Sequence, residues 1–332
     1  MRTAYPLSTE NLHLAKWEGE RSMKRNPGPK THPALFALAL AAIGVVPGAA
    51  LAQGKSGFSG EASAGIEYDS NISVIELDQN TARDDFAGAI DGELSYDTEF
   101  DGKTDFSLAY NFSQSLHFDF TNFDIQTHRG TLSLDRDLGS VKAGVSYFYA
   151  YSTLGRKGFL TLQRINPSLA GFVGKRVYLR AFYEYTDKAF KNRTDRDATV
   201  NAGGLTAYFF IDGTRTFLSA GYKLELQNAT GPRFDYDGHN IRLRFSHDFM
   251  LGDQKVEFDA GWRYERRNYS KITPSIGVKR DDKRNRLEAN FEFPLGERLY
   301  LRLEYEYDNF VSNLPSADFN QNLAAVRLGI RF

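Results

Sequence analysis

The sequence predicts an all-β chain, a transmembrane antiparallel β-barrel of about fourteen strands. Three observations carry that expectation. Apolar and polar residues alternate with a period of two, over runs longer than an ordinary strand needs. Six glycines, Gly102, Gly139, Gly174, Gly213, Gly252 and Gly296, punctuate those runs roughly forty positions apart, as short turns would. The chain also ends inside such a run, on Val326, Leu328, Ile330 and Phe332 with Arg327 and Arg331 between them. A soluble domain ordinarily ends in a frayed polar tail.

The first 52 residues differ from the remainder of the 332. A basic stretch from Met23, "MKRNPGPKTH", precedes the apolar run Ala34–Val46, then Pro47-Gly48 and the small residues Ala50 and Ala52. That is the order of a cleaved secretory signal. Cleavage is expected after Ala52, with Met23 as the true start, residues 1–22 as an upstream extension, and 53–332 as the barrel. The apolar run is too short to span a bilayer as a helix. With no cysteine, disulfides and thiolate metal sites are excluded, and a net charge of −1 gives no electrostatic case for nucleic acid.

Strands are then expected in order, the first near Phe58–Asp69 and the last near Gln321–Phe332. In "RLYLRLEYEY", Leu299, Leu301, Leu303, Tyr305 and Tyr307 oppose Arg298, Tyr300, Arg302, Glu304 and Glu306, one set for lipid and one for water. "RVYLRAFYEY", "RTFLSAGYKLEL", "NIRLRFSHDF", "KVEFDAGWRYE" and "RLEANFEF" behave likewise. Longer polar segments, Asn192–Asp197, Asn228–Gly238, Asn268–Asp282 and Ser312–Asn320, are expected to connect strands at the outer end. A propeller would also repeat near forty residues, but its strands turn over sooner and no Trp-Asp signature recurs.

Aromatics are 14% of the chain, with 18 Tyr and 26 Phe. They fall into two expected girdles at the membrane interfaces. Tyr96, Tyr208 to Phe210, Phe249, Phe293 and Phe332 form the periplasmic one; Tyr68, Tyr149, Tyr185, Tyr264 and Tyr307 form the outer one. A terminal strand ending in Phe also resembles the assembly signal of bacterial outer-membrane proteins, which makes Phe332 the residue that barrel-assembly machinery would read.

Early strands offer small or acidic inward residues, among them Ser63, Glu67, Asp91, Glu93, Ser95, Ser107, Asn111 and Ser113. Later strands offer mixed charge: Arg176, Arg180, Glu184, Arg242, Arg244, Glu257, Arg263, Arg286, Glu288, Arg302, Glu304 and Arg327. These are the expected lumen-lining residues. They make either a polar conduit with a charged wall or pairs of opposite charges that fill a wet barrel. "DYDGH" places Asp235, Asp237 and His239 at a strand end, but one such cluster is a weak sign of acid–base chemistry, and no metal-ligand spacing recurs. No enzyme activity, metal or cofactor is expected.

"GIEYDSNIS" (Gly65–Ser73), "DGTRTFLSAGYKLE" (Asp212–Glu225) and "FDYDGHNIRLRFSHDF" (Phe234–Phe249) together extend the picture. They resemble strands and hairpins in the C-terminal barrel of the surface lipoprotein assembly modifier family and of related exopolysaccharide-operon barrels. The resemblance implies export or surface display of a macromolecule, such as a lipoprotein or polysaccharide, across a Gram-negative outer membrane. Only a few residues separate Gln53 from the first strand. The family's tetratricopeptide domain is therefore not expected in this chain, and cargo capture would need another protein. The alternatives are a passive porin-like channel for small hydrophilic solutes and a structural or adhesive barrel acting through its outer loops. In each case the chain is expected as a monomer in outer-membrane lipid. If it exports, Asn71–Asp85 and Asn268–Asp282 are the segments expected to fold over the mouth.

Overall fold

The computed structural model describes Ser56–Phe332, and the expected signal segment lies outside the described residues. Fourteen long strands form the wall: β1 (Ser56–Asp69), β2 (Asp85–Phe100), β3 (Thr104–His117), β4 (Ile125–Asp137), β5 (Lys142–Leu154), β6 (Lys157–Val173), β7 (Val177–Phe190), β8 (Ala198–Asp212), β9 (Thr216–Ala229), β10 (Tyr236–Leu251), β11 (Gln254–Thr273), β12 (Val278–Pro294), β13 (Leu299–Ser312) and β14 (Phe319–Arg331). Each pairs antiparallel with the next, and β14 pairs with β1, so the sheet closes as a transmembrane antiparallel barrel. Closure leaves no sheet edge, the condition for a β-structure to lie in lipid.

The seam runs from Glu61↔Arg331 to Asp69↔Leu323. Phe332 completes it, exchanging backbone hydrogen bonds with Gly60 at 2.9 and 3.0 Å. Its ring lies on Gly60, where a Cβ would come within 2.7 Å of ring carbons.

The six turn glycines sit at one end of the barrel, every one with φ between 53° and 148°. An abrupt reversal between long strands demands left-handed backbone, and glycine adopts it at no steric cost. The other end carries the longer connections, with two departures from expectation. The β5–β6 connection is only Gly155-Arg156, at φ 54° and 64°. Asn268–Asp282 is not a loop: β11 and β12 continue through it, with Ile272↔Lys279 paired after a register shift beyond Asn268. The shift breaks the period-two pattern while the backbone ladder carries on, so alternation alone misreads the hairpin as a connection.

The faces follow the period. Leu205, Leu218, Leu243, Leu287, Val326 and Leu328 stand on the outer surface, all more than 40% exposed. Tyr208 departs from its expected girdle position: it is 4% exposed and packs with Tyr178 and Phe217 inside the barrel. Its neighbours Phe209 and Ile211 take the outward positions. A run of aromatics has no parity of its own, and pairing of Tyr208 with Tyr178 and Ser219 decides which ones turn inward.

Candidate functional site

The lumen is a single candidate site with a roof and two unlike walls. The roof is the first long connection, between β1 and β2. Ser73–Val74 and Gln79–Asn80 pair as a miniature hairpin around a turn at Ile75–Leu77. Val74 and Ile75 are consecutive and both buried, yet they pack on different parts of the wall. Val74 joins Phe159, Leu160 and Phe190 at the loop ends of β6 and β7. Ile75 joins Phe310 and Ala317, in and beyond β13. This one dipeptide bridges the mouth.

Polar contacts tie the same connection down. Arg196, between β7 and β8, donates to the Glu76 carbonyl at 2.8 Å and to Asp78 Oδ2 at 2.5 Å. Arg280 of β12 reaches Asp78 Oδ1 at 2.8 Å. Asn80 donates to the Ser316 carbonyl at 3.0 Å, and Ser73 to Gln321 Oε1 at 3.0 Å. Burial alone would raise the Asp78 carboxyl; the guanidinium groups of Arg280 and Arg196 reverse that and hold it below the usual carboxylate range.

Below this roof lies a cavity of about 730 Å³, reaching from Ile75 and Glu76 to Ser56, Thr98 and Glu99 near the glycine turns. On the arc from β10 to β1, arginines meet carboxylates directly. Arg327 contacts Glu304 at 2.7 Å, Asp91 at 2.6 Å and Glu67 at 3.2 Å. Arg286 contacts Asp308 at 2.6 Å and Glu306 at 3.0 Å, and Arg284 also donates to Asp308. Arg302 and Arg331 share Glu292, at 2.9 and 2.7 Å, while Arg244 meets Asp259 at 2.8 Å and Arg263 meets Glu288 at 3.7 Å. Direct pairing offsets the desolvation of buried charge, and neighbouring inward positions on adjacent strands make it geometrically easy.

The arc from β3 to β8 differs at Arg129 and Arg180. Arg129 donates through Nε and Nη2 to Asn111 Oδ1 at 2.9 and 2.8 Å, and Asn111 in turn donates to Glu93. Arg180 donates to Asn166 Oδ1 at 2.6 Å, and Asn166 donates to Glu184 at 3.3 Å. Arg164 Nε meets Thr186 Oγ1 at 2.9 Å, and its Nη1 lies 3.9 Å from Glu184. Phe148 lies between Arg129 and Arg164, with guanidinium carbons 5.8 and 5.7 Å from its ring centre; Arg180 lies 5.3 Å over Phe182.

Of the residues expected to line the lumen, Arg180, Glu184, Arg242, Arg244, Arg263 and Glu288 border the cavity. Arg286, Arg302, Glu304 and Arg327 belong to the paired arc, and Glu257 lies 3.7 Å from Lys255 near a glycine turn. Arg176 is the exception. It sits exposed in the turn between β6 and β7, where its carbonyl accepts the Phe210 N–H at 2.8 Å, because β7 starts one residue later than the alternation suggests. Asp235, Asp237 and His239 do not assemble a site. Asp235 accepts the Ala229 N–H at 2.7 Å, and His239 bonds the Tyr222 hydroxyl at 2.8 Å on the outer face. Arg129, Arg164, Phe148 and Phe182 escaped the sequence reading. Pro167 hides β6 by interrupting its ladder with β7 between Ile165 and Ser168.

No protein-family model matches this chain, and no curated protein matches its sequence. Solved structures of outer-membrane barrels do align with it. An anion-selective porin from Comamonas acidovorans aligns over 83% of this chain and 99% of its own, with 10% identity and a TM-score of 0.48. Outer-membrane expressed OmpT of Vibrio cholerae aligns over 83% and 97%, with 9% identity and a TM-score of 0.49. CdiB from Acinetobacter baumannii aligns over 82% of this chain but 60% of its own, with 10% identity and a TM-score of 0.43. The likeness is one of barrel architecture and says nothing of what enters the lumen.

Proposed function

We propose that this chain is a non-catalytic outer-membrane conduit for small hydrophilic solutes, narrowed at rest by its first long loop. The observation that carries the proposal is the bridging of the mouth by Val74 and Ile75 above a polar cavity of about 730 Å³. The glycine turns face the periplasm and the roofed end faces outward, since periplasmic turns are short and outer loops long. Fourteen strands at ordinary spacing and tilt give a backbone diameter of roughly 28 Å. Inward side chains and the infolded loop reduce that to solute size.

Purified protein in a planar bilayer should show low or flickering conductance. Deleting Ile72–Thr81 removes both the apolar bridge and Asp78, and should give a steady, larger conductance. Unchanged conductance in the deletion variant would sink the proposal.

Export or surface display of a lipoprotein or polysaccharide is the second reading. The latch itself favours it, because a barrel wide enough for a macromolecule must be sealed at rest. Loss of the gene separates the two. A defect in solute uptake supports the solute conduit; unchanged uptake with less surface lipoprotein or polysaccharide supports export.

A further inference from the structure

Arg129 and Arg180 are held differently from the arginines of the paired arc, and the difference points to a ligand. On the paired arc each guanidinium named above has a carboxylate against it. Arg129 and Arg180 instead meet an asparagine oxygen, and the carboxylates Glu93 and Glu184 stand behind those amides. The same Arg–Asn–Glu order occurs twice, on different strands. An amide relay holds a guanidinium in place without neutralising it by direct contact, and leaves the rest of its five donors for another acceptor.

The surroundings narrow the chemistry of that acceptor. Phe148 and Phe182 lie beside the arginines, and both border the cavity. Phe182 can lie flat on the wall because Gly204 is beneath it, where a Cβ would come within 2.5 Å of its ring. The strand register then lays a row of small polar side chains between the rows of Arg129 and Arg180. Ser107, Ser133, Ser146 and Asn166 are successive partners across β3 to β6, and each of them borders the cavity. Planar cations, ring faces and a strip of hydroxyls suit a flat or six-membered ring that carries a carboxylate.

We propose that the β3–β8 arc binds ring-borne carboxylates at two like subsites, Arg129 with Phe148 and Arg180 with Phe182, the arginine of each taking the carboxylate and its phenylalanine the ring. This deepens the conduit reading by naming its solute class. The shared chemistry has two sources, a uronic acid sugar or an aromatic acid.

The test is calorimetric binding to the full-length barrel in detergent, which does not depend on conduction. The probes are glucuronate and benzoate, with glucose as the ring without charge and acetate as the charge without ring. At least one of the ring carboxylates should bind roughly tenfold tighter than both controls. The source is read from which one it is. Arg129→Gln with Arg180→Gln should abolish that preference. Arg129→Lys should leave acetate binding unchanged but weaken the ring carboxylate, because an ammonium keeps the charge and lacks the planar fork. Phe148→Leu should lower ring carboxylates toward acetate; it also serves if the double arginine variant does not refold.

Equal binding of all four probes, or an unchanged preference in a folded arginine variant, would overturn the site. Loss of the site leaves the conduit standing, whereas a barrel that binds glucuronate or benzoate but never conducts leaves the site standing without the conduit.

Discussion

Arg302 and Leu303 are one peptide bond apart and meet different solvents. Arg302 turns inward, to Glu292 at 2.9 Å and Glu61 at 3.5 Å. Leu303 keeps the opposite parity, on the lipid face with Leu301. An arginine on the lipid face near midplane costs about 2–4 kcal/mol. Leu303→Arg should therefore lose about that much in refolding titrations into lipid. Arg302→Gln should lose less, because Arg331 still reaches Glu292 at 2.7 Å. Equal losses would refute the face assignment. The same scale explains Gly329 on β14: a Cβ there would lie 2.1 Å from the Tyr300 ring, which is 1% exposed and fills the space a side chain would need.

Loops are the elements that the lipid does not pattern, and here carboxylates organise them. Four connections end in a 3-10 turn followed by aspartate, at Asp124, Asp197, Asp235 and Asp318. Each takes a backbone N–H at the end of the preceding strand, from His117, Phe190, Ala229 and Ser312, at 2.9, 2.6, 2.7 and 3.3 Å. The first loop uses its aspartate differently, to hold Arg196 and Arg280 across the mouth. Because latching lowers the Asp78 pKa, its carboxylate stabilises the latched state at neutral pH. That contribution is lost as pH falls through the lowered value, below the ordinary aspartate range near 3.9. Conductance in a bilayer should thus rise on acidification below about pH 4 and fall again on return. Asp78→Asn should leak already at neutral pH. A conductance indifferent to both changes would remove Asp78 from the latch.

At the scale of the whole molecule, little of the energy of closure rests on the last residue. Burying one phenylalanine contributes at most about 1.5–3 kcal/mol, and Phe332 is still 57% exposed. The seam from Glu61 to Asp69 remains without it. Deleting Phe332 should therefore permit refolding in vitro. If barrel-assembly machinery reads the residue, the same deletion should leave unfolded chain in the periplasm of cells. Normal outer-membrane levels of the truncated protein would show that the machinery reads something else.

Strand number, strand faces and the six glycine turns were legible in the amino-acid sequence, because each answers to a local rule. Lipid on one side and water on the other impose a period of two on Leu299–Tyr307, and a tight reversal imposes φ > 0 on Gly102 or Gly252. The lumen was legible as a set of charges but not as a pattern of partners. Whether Arg129 meets Asn111 or a carboxylate depends on register between strands, and a one-residue slip would exchange every inward side chain for an outward one. The roof was legible as a segment, Asn71–Asp85, but not in its contacts. Val74, Ile75 and Asp78 carry no periodicity, and they meet Phe190, Phe310, Arg196 and Arg280, all more than a hundred positions away. Only closure of the barrel brings those residues to one mouth, so only the tertiary structure decides which of them hold the first loop across it.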